Sequence, residues 1–229
     1  MKRISLLAIL IAAIMIGCTG CTLTRENVNE LALEYLEQKY GEKFEYSAPA
    51  GSSYTGTRTF LATCESFGDY RILVQIENFR DKENRVIRDN YIAVKYKDEV
   101  EEFFKQAADE VFGSSKVYYY STGRTLPPEL PANASLEEYF SCREGVVSGV
   151  IALPESGYKN AEQLSLLADK ISDAFSFDEL SVLIMVVDND TFESADEDEL
   201  RDIFLSKSVE QVRLNRHNGN TRLDTFEED

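Results

Sequence analysis

The residue types best suited to nucleophilic catalysis are few in this 229-residue chain: four cysteines and a single histidine. A Ser-His-Asp triad needs an imidazole beside its nucleophile. The histidine, His217, lies in RHNGN, where Asn-Gly predicts the solvent-facing tip of a hairpin. Cys64 falls within a predicted strand, with no base predicted beside it. Because the chain also has no nucleophile-elbow, P-loop or dinucleotide-binding glycine pattern, we predict no catalytic residue and no cofactor.

An acidic run, DNDTFESADEDE from position 188, has part of the spacing of a calcium-binding loop. Asp188, Asp190 and Glu199 fall on positions 1, 3 and 12 of an EF-hand. However, Phe192 occupies position 5, where an oxygen ligand belongs, and Glu193 replaces the glycine that makes the turn. Negative charge is favourable at the start of a helix, so we predict that this run begins a helix. We predict no metal site.

The N-terminus has the layout of an export signal: MKR, then an apolar run over residues 4–16, then Gly-Cys. The 13-residue run spans about 20 Å as a helix, which is short for a membrane of about 30 Å. MIGC at 15–18 resembles the lipobox of bacterial lipoproteins, which implies cleavage before Cys18 and acylation of that cysteine. Cys21 offers a second acylation site, and an ordinary cleaved signal peptide is the alternative. The resemblance implies residues 1–17 as signal peptide and 18–25 as a lipidated stalk on the outer face of a membrane.

Two cysteines then remain for the folded body, Cys64 and Cys142. An exported protein can form disulfides, but the two fall in different predicted domains. We therefore favour two separate thiols over a bridge. With one histidine, they cannot complete a closed zinc site made of Cys and His alone.

The net charge of −17 excludes some partners. Removal of residues 1–17 takes away Lys2 and Arg3 and leaves −19. Such a surface repels nucleic-acid phosphates and anionic lipid headgroups. We predict no nucleic-acid partner. We expect contact with the membrane through the lipid anchor only. The negative charge either keeps the protein soluble or attracts a cationic partner.

Helical and strand patterns predict one domain over residues 26–120. Asn27 with Glu30 starts a helix that Gly41 ends, and strands follow over 43–47, 58–64 and 70–77. A second helix runs from Asn90 to Phe112, and a strand carries the tyrosines at 118–120 on alternate faces; an exposed aromatic patch is the alternative reading.

The stretch LALEYLEQKYGEKFEY at 31–46, with Asp89-Asn90-Tyr91 before the second helix, resembles a group of small uncharacterised lipoproteins of Gram-positive bacteria. The resemblance covers roughly residues 25–120. It implies a cystatin-like module, a helix packed across a curved antiparallel sheet, and no function.

Residues 121–135 hold three of the five prolines and read as an interdomain linker, which a protease should cut first. The second domain, 136–229, follows a β-α-β-α-β-β order. Its helices begin at Ser135, Asn160 and Ser194, and its last two strands form a hairpin around Asn218-Gly219. The strand over 180–187 is apolar without alternation, as in a strand covered on both faces. The fold class is thus α+β: two small domains of helices on mostly antiparallel sheets, after a cleaved lipoprotein signal peptide.

These features favour a membrane-anchored, non-enzymatic binding or interaction module of the cell envelope. One alternative is an envelope hydrolase that works through paired carboxylates. With 41 acidic residues some pair always has a suitable spacing, so the sequence cannot identify it. Another alternative is an immunity or inhibitor protein for a cationic partner.

Overall fold

Two sheets organise the chain, one of four strands and one of five in the described residues. The computed structural model describes residues 27–53, 56–121, 124–144, 146–177, 179–206, 210–217 and 220–225. The helices are α1 (Val28–Tyr40), α2 (Tyr91–Lys95), α3 (Lys97–Phe112), α4 (Leu136–Phe140), α5 (Ala161–Ala174), α6 (Asn189–Ser194) and α7 (Glu197–Ser206). The strands are β1 (Phe44–Ser52), β2 (Arg58–Cys64), β3 (Ile72–Glu77), β4 (Val86–Asp89), β5 (Lys116–Tyr119), β6 (Val146–Pro154), β7 (Glu179–Val187), β8 (Glu210–His217) and β9 (Asn220–Thr225).

The first sheet has the order β1-β2-β3-β4 and is antiparallel throughout. Buried and half-buried side chains alternate along β3, so Ile72, Val74 and Ile76 lie on one buried face of the sheet. Helix α1 covers that face with Ala32 and Leu36, both fully buried. The apolar stripe of the helix and the period of two in the strands therefore meet in one core.

The second sheet has the order β5-β6-β7-β8-β9, with only β6 and β7 parallel. Helix α5 makes the crossover that a parallel pair requires. Helices α3 and α5 pack on one face, and α6 and α7 pack on the other. This arrangement explains why β7 is buried along nearly its whole length. The α+β class, with helices on two mostly antiparallel sheets, is confirmed.

Helix α3 and strand β5 belong with the second sheet, although their place in the sequence assigned them to the first predicted domain. Val117 of β5 pairs with Ile151 of β6. Phe104 of α3 and Tyr119 of β5 are buried in the core of the second sheet. The predicted 26–120 unit is thus divided between the two sheets. An amphipathic pattern shows that a helix has an apolar face, but not which sheet receives it.

The predicted linker, residues 121–135, is attached to the body where it is described, and we call it the strap. Leu126 and Ala134 are buried and contribute to the core of the second sheet. The Tyr96 hydroxyl donates a hydrogen bond to the Ala134 carbonyl oxygen at 2.7 Å. The strap turns at two of its prolines, where the N–H of Leu130 donates to the Pro127 carbonyl oxygen and the N–H of Ala134 donates to that of Pro131. Proline therefore shapes the strap without leaving it free of contacts.

Several helix ends follow the sequence closely. Asn27 caps α1, although its side chain accepts from the backbone of Asn29 instead of forming a box with Glu30. Gly41 ends the helix with a φ of 75°, a conformation that costs glycine little. Ser135 and Glu138 form the predicted capping box of α4.

The start of the last helix differs from the prediction. Ser194 is the final residue of α6, a short helix that the sequence pattern did not indicate. Helix α7 begins at Glu197, and Asp196 precedes it with its carboxylate accepting from the Glu199 backbone at 3.0 Å. Aspartate is as good a cap as serine, so the pattern alone left two starting points open.

Candidate functional site

A group of titratable side chains surrounds Asp89, where β4 gives way to α2. We call Lys39, Tyr40, Glu42, Asp89 and Tyr91 the Asp89 cluster. Asp89 is only 2% exposed. Burying a charged carboxylate is expensive unless it is paired and hydrogen-bonded, so its partners decide whether it can react.

The carboxylate of Asp89 receives three donors. The Tyr40 hydroxyl donates to Oδ1 at 2.6 Å, and the backbone N–H of Tyr91 donates to the same atom at 3.0 Å. The Lys39 ammonium lies 3.2 Å from Oδ2. This ion pair is half-buried on the lysine side and neutralises the charge of Asp89.

Two tyrosines form the wall of the cluster. The rings of Tyr40 and Tyr91 stack with their centroids 3.8 Å apart. Burial, together with Asp89, raises the pKa of Tyr40 far above its usual value. Burial and the hydrogen bond to Glu42 likewise raise the pKa of Tyr91. Both phenols therefore stay protonated and act as donors at neutral pH.

Glu42 is held from several sides. Its Oε1 accepts from the Tyr91 hydroxyl at 2.5 Å, and its Oε2 accepts from the Ser66 hydroxyl at 2.7 Å. Burial alone would raise the pKa of Glu42, but the hydrogen bonds from Tyr91 and Ser66 outweigh burial and lower it. Glu42 is therefore an anionic acceptor, the opposite of a general acid with a raised pKa.

Cys64 lies beside Glu42 at the end of β2 and is buried. Burial, followed by the charge of Glu42, raises the pKa of the Cys64 thiol to about 11. A nucleophilic cysteine needs a lowered pKa and access to a substrate, so Cys64 is an inert thiol at neutral pH.

Asn90 extends the cluster to the strap. Its side chain is completely buried and accepts from the Leu73 backbone N–H at 2.6 Å. Its amide group donates to the Ser121 carbonyl oxygen at 2.6 Å. The Leu126 N–H donates to the Asp89 carbonyl oxygen at 2.7 Å. Asp89 and Asn90 thus join the first sheet, helix α2 and the strap.

The arrangement is better suited to holding the neighbouring elements together than to catalysis. The carboxylates of Asp89 and Glu42 are engaged by donors of the protein, and the nearby thiol and phenols are protonated. In the sequence, Asp89-Asn90-Tyr91 carries part of the resemblance to small lipoproteins, which implies no function. Lys39, Tyr40 and Glu42 were not identified as its partners, since no spacing rule connects residues 49 or 50 positions apart.

The other residues that the sequence singled out are not brought together. Cys18 and Cys21 lie outside the described residues, as do Asn218 and Gly219. His217 is the last residue of β8. In the described chain Cys64 and Cys142 are separate thiols, the first buried and the second half-buried.

The acidic run from 188 supplies helix caps. The two carboxylate oxygens of Asp188 accept from the backbone N–H and the hydroxyl of Thr191, at 2.9 and 2.6 Å. The Asp196 N–H donates to Glu199 at 3.3 Å. Within the described ranges, no three His, Cys, Asp or Glu side chains are grouped in a way that could hold a metal ion.

The three consecutive tyrosines lie on alternate faces, as expected of a strand. Tyr119 points into the core of the second sheet, and its hydroxyl lies 2.5 Å from that of Tyr139. Tyr118 and Tyr120 pack, half-buried, against the cluster beneath α6 and α7. They form no exposed aromatic patch with Tyr119.

Among the residues with a described position, no helix is long and apolar enough to cross a membrane. No family model matches the sequence, and comparison with curated proteins gives no match. A solved structure of a DUF5037 family protein from Ruminococcus gnavus is similar, with a TM-score of 0.44 and 14% identity over 84% of this chain and 92% of that chain. At that TM-score the likeness supports no further conclusion.

Proposed function

We propose that the protein is a non-enzymatic binding module of the cell envelope, tethered to the outer face of a membrane through lipid on Cys18. The observation that supports a non-enzymatic role is the Asp89 cluster. Lys39 pairs with Asp89, Glu42 accepts from the Tyr91 hydroxyl, and Asp89 is only 2% exposed. A reactive carboxylate or thiol would need an unengaged atom that substrate can reach.

The tether rests on the order of charges, apolar run and Gly-Cys at the N-terminus. Two acyl chains suffice for stable anchoring. The body, at −19 after cleavage, would be repelled by anionic headgroups and would stand away from the bilayer on its stalk. An exposed body on a short tether is suited to capturing a soluble or surface-bound partner.

The charge favours a cationic partner, such as a basic envelope protein or peptide. Attraction between exposed charges is screened within about 8 Å at physiological ionic strength. We therefore expect envelope proteins captured by the lipidated full chain at low salt to be released as NaCl is raised. Capture that persists unchanged at high salt would argue against charge as the basis of binding.

The hydrolase alternative lacks a carboxyl group of the required kind in the Asp89 cluster. Its acid would need a raised pKa, whereas the pKa of Glu42 is lowered. An inhibitor or immunity role is one form of the proposed binding function, and the same salt experiment bears on it.

The tether has its own test, metabolic labelling with a fatty acid. Cys18→Ala should abolish the label, because the acylated sulfur is gone. Cys21→Ala is the matched control and should keep it. Equal label on Cys18→Ala and the unchanged chain would overturn the assignment, and loss of label only with Cys21→Ala would move the anchor to position 21.

A further inference from the structure

The two sheets have four edge strands, β1, β4, β5 and β9. An edge strand presents unpaired backbone N–H and C=O groups to any strand that approaches it. Proteins usually block such edges with bulges, proline, short length or a covering side chain. Comparing the four edges shows which of them is open to pairing.

Two of the edges are blocked by their own backbone. Strand β1 carries Pro49, and its pairing with β2 shifts register twice, between Tyr46 and Ala48 and again between Pro49 and Gly51. Strand β4 has only four residues, and the strap donates the Leu126 N–H to its last carbonyl oxygen.

The third edge is covered by a side chain. The outward N–H of Tyr119 in β5 donates to Glu101 Oε1 at 2.9 Å. Lys97 pairs with the same carboxylate oxygen at 2.5 Å and holds it in place. Glu101 thus occupies the position that an incoming strand would need.

In the described residues, strand β9 shows none of these devices. Its six residues contain no proline, and its register with β8 runs without a shift from Val212–Thr225 to His217–Asn220. In the described part of the chain, β8 is its one strand neighbour. A regular edge of this length is a template for another strand.

The charge of this hairpin differs from that of the rest of the molecule. Strands β8 and β9 together carry three arginines and two acidic residues, which gives +1, whereas the whole chain carries −17. Two copies that meet at this edge therefore pair strands of nearly balanced charge.

We propose that β9 is an interface between two copies of this chain, which pair antiparallel into a continuous ten-stranded sheet. A two-fold axis perpendicular to the sheet keeps paired residues on the same face. It therefore passes midway between the two copies of one β9 residue, which lie opposite each other. An axis at Leu223 places Arg222 of each copy opposite Asp224 of the partner. An axis at Arg222 or at Asp224 would place like charges face to face, which is unfavourable.

The side chains at this edge fit that register. Asp224 is held in position by Asn215, whose Nδ2 donates to it at 2.6 Å. Arg222 contacts Asp224 of its own strand through Nε at 3.2 Å and is 76% exposed. A guanidinium has further N–H donors beyond Nε, and these can reach the carboxylate of the partner copy.

Cross-linking of the full-length protein in intact cells tests the interface. Residues directly opposite in an antiparallel pair have Cα atoms about 4.5–5.5 Å apart, within the range of a disulfide. Leu223→Cys should therefore give a disulfide-linked dimer with a mild thiol oxidant. Leu166→Cys on α5, a leucine that is 51% exposed, is the matched control for random collision. The unchanged chain shows the background from the natural cysteines.

Charge exchange in the Leu223→Cys chain tests the register. Arg222→Asp and Asp224→Arg each place two like-charged pairs across the axis, so each should lower the dimer yield at least about fivefold. The double exchange restores opposite charges and should restore the yield. A yield at position 223 no higher than at 166 would overturn the interface. Single exchanges without effect, or a double exchange that does not recover, would overturn it equally.

Discussion

Asn90 shows what one buried side chain contributes to this fold. It is fully buried and bridges the Leu73 N–H and the Ser121 carbonyl oxygen. Asn90→Ala would leave both groups unpaired, at about 1–3 kcal/mol each. We therefore expect the free energy of unfolding to fall by about 2–6 kcal/mol in urea denaturation. Asn84→Ala, which removes an exposed loop hydrogen bond, is the matched control and should stay within about 0.5 kcal/mol. An equally small loss for Asn90→Ala would contradict the bridging role.

The Cys64 thiol should make the free energy of unfolding depend on pH in the alkaline range. Burial and the charge of Glu42 raise the pKa of its thiol from 9.0 to about 11 in the folded chain. The unfolded state therefore loses this proton at a lower pH than the folded state. The contribution of the thiol to the free energy of unfolding is complete below pH 9 and declines as pH rises towards 11. Urea denaturation from pH 8 to 11 should show a steeper decline for the unchanged chain than for Cys64→Ala. Parallel declines in the two proteins would mean that Cys64 does not contribute.

At the scale of elements, the strap and the β3–β4 loop differ in what secures them. The sequence predicted that a protease would cut first within residues 121–135. Hydrogen bonds at Ser121, Leu126 and Ala134 join the strap to the rest of the body, and Arg124 pairs with Glu179 at 2.8 Å. Side-chain hydrogen bonds of the β3–β4 loop, such as that of Asn84 with Asp81, stay within the loop, and its Arg80 and Lys82 are exposed. Because cleavage requires local opening, we expect the first tryptic cut in the described body in that loop, and not at Arg124. Mass spectrometry of early fragments decides, and a first cut at Arg124 would restore the linker interpretation.

For the whole molecule, charge is the main variable. The whole chain carries −17 and repels itself, so screening by NaCl should raise the melting temperature modestly. Calcium should add nothing beyond its ionic strength, because both carboxylate oxygens of Asp188 cap α6. A specific site would stabilise by about 2.7 kcal/mol at a hundredfold excess over its dissociation constant. A calcium-specific increase that Asp188→Ala abolishes would show that the acidic run is a metal site.

The sequence by itself determined the local structure, because local structure depends on near neighbours. Periodicity located helix α1 and most of the strands, and the caps at Asn27, Ser135 and Asn160 were read directly from residue type. The same local rules predict an export signal and no catalytic residue, and both stay predictions. These rules failed between Asp188 and Glu199, where the pattern predicted one helix starting at Ser194 and the structure has two, one capped by Asp188 and one preceded by Asp196.

Tertiary structure alone decided where these elements go. The apolar faces of α3 and β5 fit any core of suitable size, and only packing assigned them to the second sheet. Likewise, Lys39, Tyr40 and Glu42 are ordinary surface residue types, and they form a cluster only because α1 and the turn after it meet Asp89 and Tyr91. Long-range contacts of this kind depend on the path of the whole chain, and no local pattern in the sequence encodes them.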